Sequence, residues 1–138
     1  MTRINVIPVD QLTDQHLVAE YREMLMVPAS LKRSLGSKNG MDTKRIPKQY
    51  TLNTGHVYFF YDKGKFLKDR YDSLVNEMKK RGMKPDPKRT FPTKVFKDNN
   101  LYNSWKVTDR AVQINNERIV ERINQKPDWY RRTKYKGK

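Results

Sequence analysis

The first residue that could do chemistry is Thr2, which follows Met1. Removal of the initiator methionine ahead of so small a residue leaves Thr2 with a free α-amine. The ordinary pKa of an α-amine is about 7.7–8.0, against about 10.4 for a lysine amine, so a substantial fraction is neutral near physiological pH. A neutral amine attacks an electrophilic carbon and forms a Schiff base. Thr2 is therefore a candidate nucleophile.

A polar stripe on the first predicted helix offers the second group of candidates. The spacing of His16, Glu20 and Glu23 places them on one helical face, and Gln15 and Arg22 form the neighbouring stripe. A carboxylate beside an amine nucleophile can stabilise a developing cation and carry protons. A solvated helix surface is the alternative interpretation. A metal site is not indicated, because the His16 and Glu20 pair has no evident third ligand.

Two arginines on the last predicted helix, Arg118 and Arg122, are one turn apart and face the same way. Paired guanidinium groups are suited to consecutive phosphates. Glu117 and Glu121 lie beside them in the sequence. Ion pairing within the helix is therefore the alternative.

An aromatic pair, Trp129 and Tyr130, follows Pro127 and begins a strongly basic tail, WYRRTKYKGK. Cations contact phosphates while aromatic faces stack on bases, so this mixture is typical of a nucleic-acid surface. Packing of the pair into the core is the alternative interpretation.

The overall charge also indicates a nucleic-acid partner. Thirty Lys and Arg stand against 15 Asp and Glu, which leaves a net charge of +15 over 138 residues. The chain has no cysteine and only two histidines, so disulfides and thiolate metal sites are excluded and no metal or cofactor is expected. No apolar run is long enough to span a membrane, and the first residues do not form a signal peptide. We expect an intracellular protein that is neither secreted nor embedded in a membrane.

Hydrophobic periodicity and capping residues predict an all-α, single compact domain over residues 1–138, with three main helices, long loops and an extended N-terminal segment. The first helix is expected from Asp10 or Thr13 to Met26, broken by Pro28, with a short continuation from Ala29 to Leu35. The remaining predicted segments are a loop over 36–48, a helix over 55–81 capped by Thr54 and ended by Gly82, an irregular connection over 83–106, and a helix capped by Thr108 that ends near Gln125 with Val112, Ile119, Val120 and Ile123 inward.

Several blocks of the sequence resemble the pyrimidine-dimer DNA glycosylase and abasic-site lyase family. They are MTRIN at the start, DQHL and AEYRE within 14–23, TGHV and FFYDK within 54–63, KRG at 80–82 and KPDWY at 126–130. The blocks occur in the family's order and at nearly its spacing. Residues 83–107 and the last eight residues align poorly.

The resemblance implies an enzyme that cuts the glycosidic bond of the 5′ base of a cyclobutane pyrimidine dimer in duplex DNA and then breaks the strand at the resulting abasic site. By this resemblance Thr2 supplies the attacking amine, Glu23 assists base release and proton transfer, and Arg22 positions DNA and supports Glu23. The DNA-binding residues implied are Arg3, Gln15, His16, Arg118, Arg122, Trp129 and Tyr130. The family acts as a monomer on double-stranded DNA that contains dimers or abasic sites.

Two departures from the family pattern concern lesion range and affinity. Met26 stands where the family has an arginine, and the tail after Tyr130 carries charge in place of aromatic surface. Two rival functions remain open: a non-catalytic basic protein that bends or compacts DNA, and a glycosylase or lyase for other base damage.

Overall fold

The computed structural model describes residues 4–38, 40–52 and 54–135, and these residues form helices and loops without a strand. The predicted all-α fold is therefore confirmed. The three predicted helical regions are present, and the first two are each divided. The helices are α1 (Asp14–Glu23), α2 (Met26–Leu35), α3 (His56–Phe59), α4 (Gly64–Lys80), α5 (Lys94–Lys97) and α6 (Asp109–Gln125).

The first helical region begins as predicted and divides near Met24. The hydroxyl of Thr13 accepts a hydrogen bond from the His16 backbone N–H at 3.1 Å and so caps α1. The prediction that Pro28 stops the helix is wrong, because Pro28 lies in the first turn of α2. A backbone N–H in a first turn has no partner within the helix, so a proline costs nothing there.

The second helical region is divided at residues 60–63 into α3 and α4. The predicted Thr54 cap is wrong: α3 begins after Gly55, whose φ of 91° lies in the left-handed region. Gly64 is the first residue of α4, where a Cβ atom would lie 2.4 Å from Cγ of Phe96. Glycine is required there because α5 packs directly against the helix start. Gly82, with a φ of 84°, follows the end of α4 as predicted.

The connection between α4 and α6 is irregular as predicted, apart from the single turn of α5. Thr108 caps α6, since its hydroxyl accepts from the Ala111 N–H at 3.0 Å. The prediction that Val120 faces inward is wrong, because 55% of its surface is exposed. Asn115 is fully buried instead, so the face of α6 that packs against the core includes a polar residue.

The core lies between the long helices and includes an aromatic cluster. Tyr50, Phe59, Phe60 and Trp105 meet with ring centroids 5.0–6.5 Å apart, mostly edge to face. Helix α1 packs against α4. The N-terminal segment 4–7 is buried with them, so the start of the described chain is part of the core.

Candidate active site

Ile4 is the first described residue, and two predicted site residues, Thr2 and Arg3, lie outside the described residues. The backbone N–H of Ile4 donates to Nε2 of His56 at 2.7 Å, and the Ile4 carbonyl accepts from the Tyr50 hydroxyl at 2.9 Å. A buried backbone group needs a hydrogen-bond partner. Here side chains supply what a neighbouring strand would supply in a sheet.

The next residues of the segment are held in the same way. Oδ1 of Asn115 accepts from the N–H groups of Val6 at 2.7 Å and Ile7 at 3.3 Å. The carbonyl of Ile7 accepts from a guanidinium nitrogen of Arg70 at 2.5 Å. Both partners are buried. The backbone of the segment is therefore tied to α6 through Asn115 and to α4 through Arg70.

Glu20 is not part of a solvated stripe, and that interpretation of the helix face is wrong for this residue. It is 1% exposed, and its carboxylate accepts two hydrogen bonds from Arg70, at 2.8 and 3.0 Å. A third comes from the Asn5 side-chain amide at 2.9 Å. A carboxylate is buried only when it is paired and hydrogen-bonded, and the cation comes from α4, far away in the sequence.

Glu23 ends α1, one turn beyond Glu20, and is half-buried, whereas Arg22 is exposed. The last turn of the helix is held by Arg89, a residue that sequence reasoning missed. Its guanidinium donates to the carbonyl of Tyr21 and, at 2.8 Å, to the carbonyl of Arg22. Terminal helix carbonyls lack intrahelical donors, so Arg89 fixes the turn that carries Arg22 and Glu23.

The start of α1 meets the aromatic pair of the tail. The Gln15 side-chain amide donates to the Trp129 carbonyl at 2.8 Å, and its Oε1 accepts from the Arg131 N–H at 3.1 Å. The His16 and Tyr130 rings are stacked. Trp129 is 54% exposed, so packing of this residue into the core is excluded. Four predicted DNA-binding residues are therefore brought together.

Asp14 anchors the tail that follows this pair. Its N–H donates to the Arg131 carbonyl at 2.7 Å, and its carboxylate accepts from the N–H and hydroxyl of Thr133 and from Arg81. Burial by itself raises the pKa of Asp14, but the hydrogen bonds from Thr133 and the Arg81 guanidinium outweigh it, so the pKa is lowered. Arg81 also pairs with Glu77 at 2.8 Å. The anionic form of Asp14 is the one the site stabilises.

An open groove of about 520 Å³ runs between α1 and the tail. Its lining combines cationic and aromatic side chains with apolar ones, a mixture that suits a nucleotide better than a small metal-bound ligand. The lining residues are Asp14, Gln15, Val18, Ala19, Arg22, Met83, Trp129, Arg131 and Thr133.

Arg118 and Arg122 do not line this groove. The side chain of Arg118 is 19% exposed and lies 3.8 Å from a Glu121 oxygen, a long separation for an ion pair. Arg122 is exposed and remains available to phosphate. The intrahelical pairing considered from the sequence thus occurs at Arg118, in weak form.

Among residues 4–38, 40–52 and 54–135, no group of three or more histidine and acidic side chains could hold a metal ion. The same residues contain no helix long and apolar enough to cross a membrane.

The model of one protein family, described as pyrimidine dimer DNA glycosylase, matches residues 1–91. The matched range contains Thr2, Arg3, Gln15, His16, Arg22 and Glu23. It also contains the residues that hold the N-terminal segment from α1, α3 and α4, while α6 and the tail follow it. The matched range is about two thirds of the 138 residues, and the chain belongs to the pyrimidine dimer DNA glycosylase family.

Proposed function

We propose that the protein excises pyrimidine dimers through a Schiff base on the Thr2 α-amine and then cuts the strand by β-elimination. The relationship between Asn5 and α1 carries the proposal. Asn5 is three residues after Thr2, and its side-chain amide donates to the Glu20 carboxylate at 2.9 Å. Glu23 lies one turn beyond Glu20 on α1. A buried hydrogen bond therefore attaches the segment that continues from Thr2 to the helix that carries Glu23.

In the proposed reaction the neutral amine attacks C1′ of the nucleotide that carries the 5′ base of the dimer. The glycosidic bond between C1′ and the base nitrogen breaks, and that nitrogen keeps the electron pair and takes up a proton, while the base stays joined to the 3′ pyrimidine of the dimer. The C1′–O4′ bond then opens, O4′ takes a proton from the amine nitrogen, and a protonated imine forms. Glu23 then removes a proton from C2′, and the electrons expel the 3′ phosphate. Hydrolysis of the imine releases an unsaturated aldehyde and restores the amine.

We assign DNA binding to the surface formed by the groove and by Arg22, Gln15, His16, Trp129 and Tyr130. Exposed cations there would neutralise phosphates, and the exposed ring of Trp129 would stack on an unstacked base. A dimer weakens stacking, so distortion of the duplex costs less at the lesion than elsewhere. Arg3, Arg118 and Arg122 are proposed as further phosphate contacts.

Borohydride trapping on a dimer-containing duplex tests the covalent step. Protein shown by intact mass to begin at Thr2 should form a covalent complex, whereas protein that retains Met1 should bind the duplex without being trapped. If the Thr2 form binds and is not trapped, the protein is a binding module and the proposed chemistry is wrong. A duplex with an oxidised purine in place of the dimer tests the rival function, because a glycosylase for other base damage would be trapped on it and a dimer-specific enzyme would not.

Glu23→Gln tests the carboxylate. Strand cleavage should fall at least 100-fold, in line with the usual contribution of general acid–base catalysis, while the Kd for DNA stays within about threefold. Asp69→Asn is the matched control, because Asp69 lies on the exposed surface of α4 and its change should leave cleavage intact. Equal losses of cleavage and binding in Glu23→Gln would assign Glu23 a structural role.

A further inference from the structure

Two side chains from different parts of the chain form hydrogen bonds with the backbone of Ile4. His56 accepts from the N–H, and Tyr50 donates to the carbonyl. Ile4 is fully buried, and both partners are buried with it. The two contacts fix the position and the direction of the backbone at the residue from which the chain continues toward Thr2.

His56 is itself held rigidly. Its Nδ1 lies 2.7 Å from the Thr51 carbonyl, and its ring meets Tyr50 and Phe60 edge to face at 5.5 Å. The carbonyl needs a donor and the Ile4 N–H needs an acceptor, so this geometry selects the neutral ring with its proton on Nδ1. The His56 ring is therefore held in the orientation that accepts the hydrogen bond from the Ile4 N–H.

We propose that Tyr50 and His56 are positioning residues for the Thr2 amine, an inference that rests on the proposed function. Ile4 is two residues from Thr2, and two residues of chain span at most about 7 Å. A displacement of the Ile4 backbone therefore moves the point from which the chain continues to the amine. A misplacement of about 1 Å at a reacting group costs on the order of 100-fold in rate, so we expect loss of either hydrogen bond to Ile4 to slow amine attack.

Tyr50→Phe tests the inference with the smallest possible change, since it removes only the hydroxyl. The rate of borohydride trapping at saturating abasic-site duplex should fall about tenfold or more, while the Kd for that duplex stays within about twofold. Tyr61→Phe is the matched control. It also removes a buried hydroxyl, one that lies 2.5 Å from Ser30 Oγ and 3.2 Å from Ser34 Oγ, and it should leave the trapping rate within about twofold.

A pair of changes at His56 tests the acceptor. His56→Phe keeps a flat ring without a nitrogen and should slow trapping, whereas His56→Gln keeps an amide acceptor and donor and should recover part of the rate. All variants are compared well below their melting temperatures, so that lost stability does not enter the rate.

Distinct outcomes separate the failures. Wild-type protein that is never trapped overturns the proposed function and the inference together. Wild-type protein that is trapped, with Tyr50→Phe trapped equally fast, overturns the positioning role alone. Slowing by Tyr61→Phe as large as that by Tyr50→Phe also overturns it, because a general effect of removing a buried tyrosine hydroxyl would then explain both.

Discussion

The imidazole of His16 lies flat against the ring of Tyr130, with centroids 4.7 Å apart and an angle of 5° between the planes. Nδ1 of His16 is 2.7 Å from the Thr13 hydroxyl, so the capping residue of α1 also orients the ring. Tyr130 in turn meets Trp129 edge to face at 4.9 Å. The start of α1 thus sets the orientation of both tail aromatics, and Trp129 is the one that stays open to solvent.

Trp129→Ala should weaken binding to a dimer-containing duplex by about fivefold or more, because an aromatic face that stacks on a base contributes about 1–3 kcal/mol. Its effect on the free energy of unfolding should stay within about 0.5 kcal/mol, as for other exposed positions. Fluorescence anisotropy and thermal melting measure the two quantities. Val120→Ala, at another exposed apolar side chain, should leave the Kd unchanged. An unchanged Kd in Trp129→Ala would remove this residue from the DNA surface.

Arg122→Gln should reduce the salt dependence of binding. Each phosphate contact contributes about 0.9 to the slope of log K against log salt concentration, so loss of one contact lowers the slope by about that amount. Titrations over a range of salt concentrations measure it. Trp129→Ala should leave the slope unchanged, since stacking releases no counterions. A slope of log K against log salt concentration that is the same in Arg122→Gln as in the wild type would show that this arginine does not contact phosphate.

Glu20→Gln should lower the free energy of unfolding by about 3–5 kcal/mol, because it leaves Arg70 buried without its counter-charge. Urea denaturation measures the loss. The matched control is Asp72→Asn, which breaks the exposed pair with Lys68 and should cost about 0.5 kcal/mol. Similar costs in the two variants would contradict the assignment of Glu20 and Arg70 as the ion pair that ties α1 to α4.

The contribution of Asp14 to stability should depend on pH. Its folded-state pKa is below the ordinary value of 3.8, so ionised Asp14 favours the folded state. This contribution is complete above that value and is lost as the pH falls through the folded pKa. At neutral pH, Asp14→Asn should cost about 2 kcal/mol, as expected for hydrogen bonds to a charged group.

Melting curves of the wild type and Asp14→Asn across pH measure this difference. The gap in melting temperature should be constant at and above neutral pH and should narrow once the pH falls below 3.8. Asp72→Asn should show no comparable gap at any pH. A gap for Asp14→Asn that stays constant into strong acid would contradict the lowered pKa.

Gly64→Ala should destabilise the fold by about 1–3 kcal/mol, the usual cost of overpacking a core. The new Cβ would meet the Phe96 ring at 2.4 Å. Gly36→Ala is the control, since its nearest contact would be a backbone oxygen at an ordinary 3.5 Å, and it should be neutral or slightly stabilising. Chemical denaturation distinguishes them. Equal stability of both variants would contradict the close approach of α5 to α4.

Much of the local structure could be predicted because it depends on residues close together in the sequence. Short-range patterns predict the Thr108 cap and the glycine after α4, and they give Thr13 as one of two alternative caps of α1, beside Asp10. The sequence does not predict the break between α3 and α4, and the close approach of Phe96 to Gly64 at the start of α4 joins residues that lie far apart in the sequence. The same limit applies to Val120, whose exposure depends on how α6 is rotated against its neighbours.

The sequence by itself determined the all-α class, the basic charge and the family blocks that nominate Thr2 and Glu23. Only the tertiary structure decided that Glu20 is buried against Arg70 and that Ile4 is held by His56. These pairs are 50 and 52 residues apart in the sequence. No local pattern encodes them, because each requires that helices and loops first pack and exclude water around the polar groups. The N-terminal segment that leads to the candidate nucleophile is held by such distant contacts.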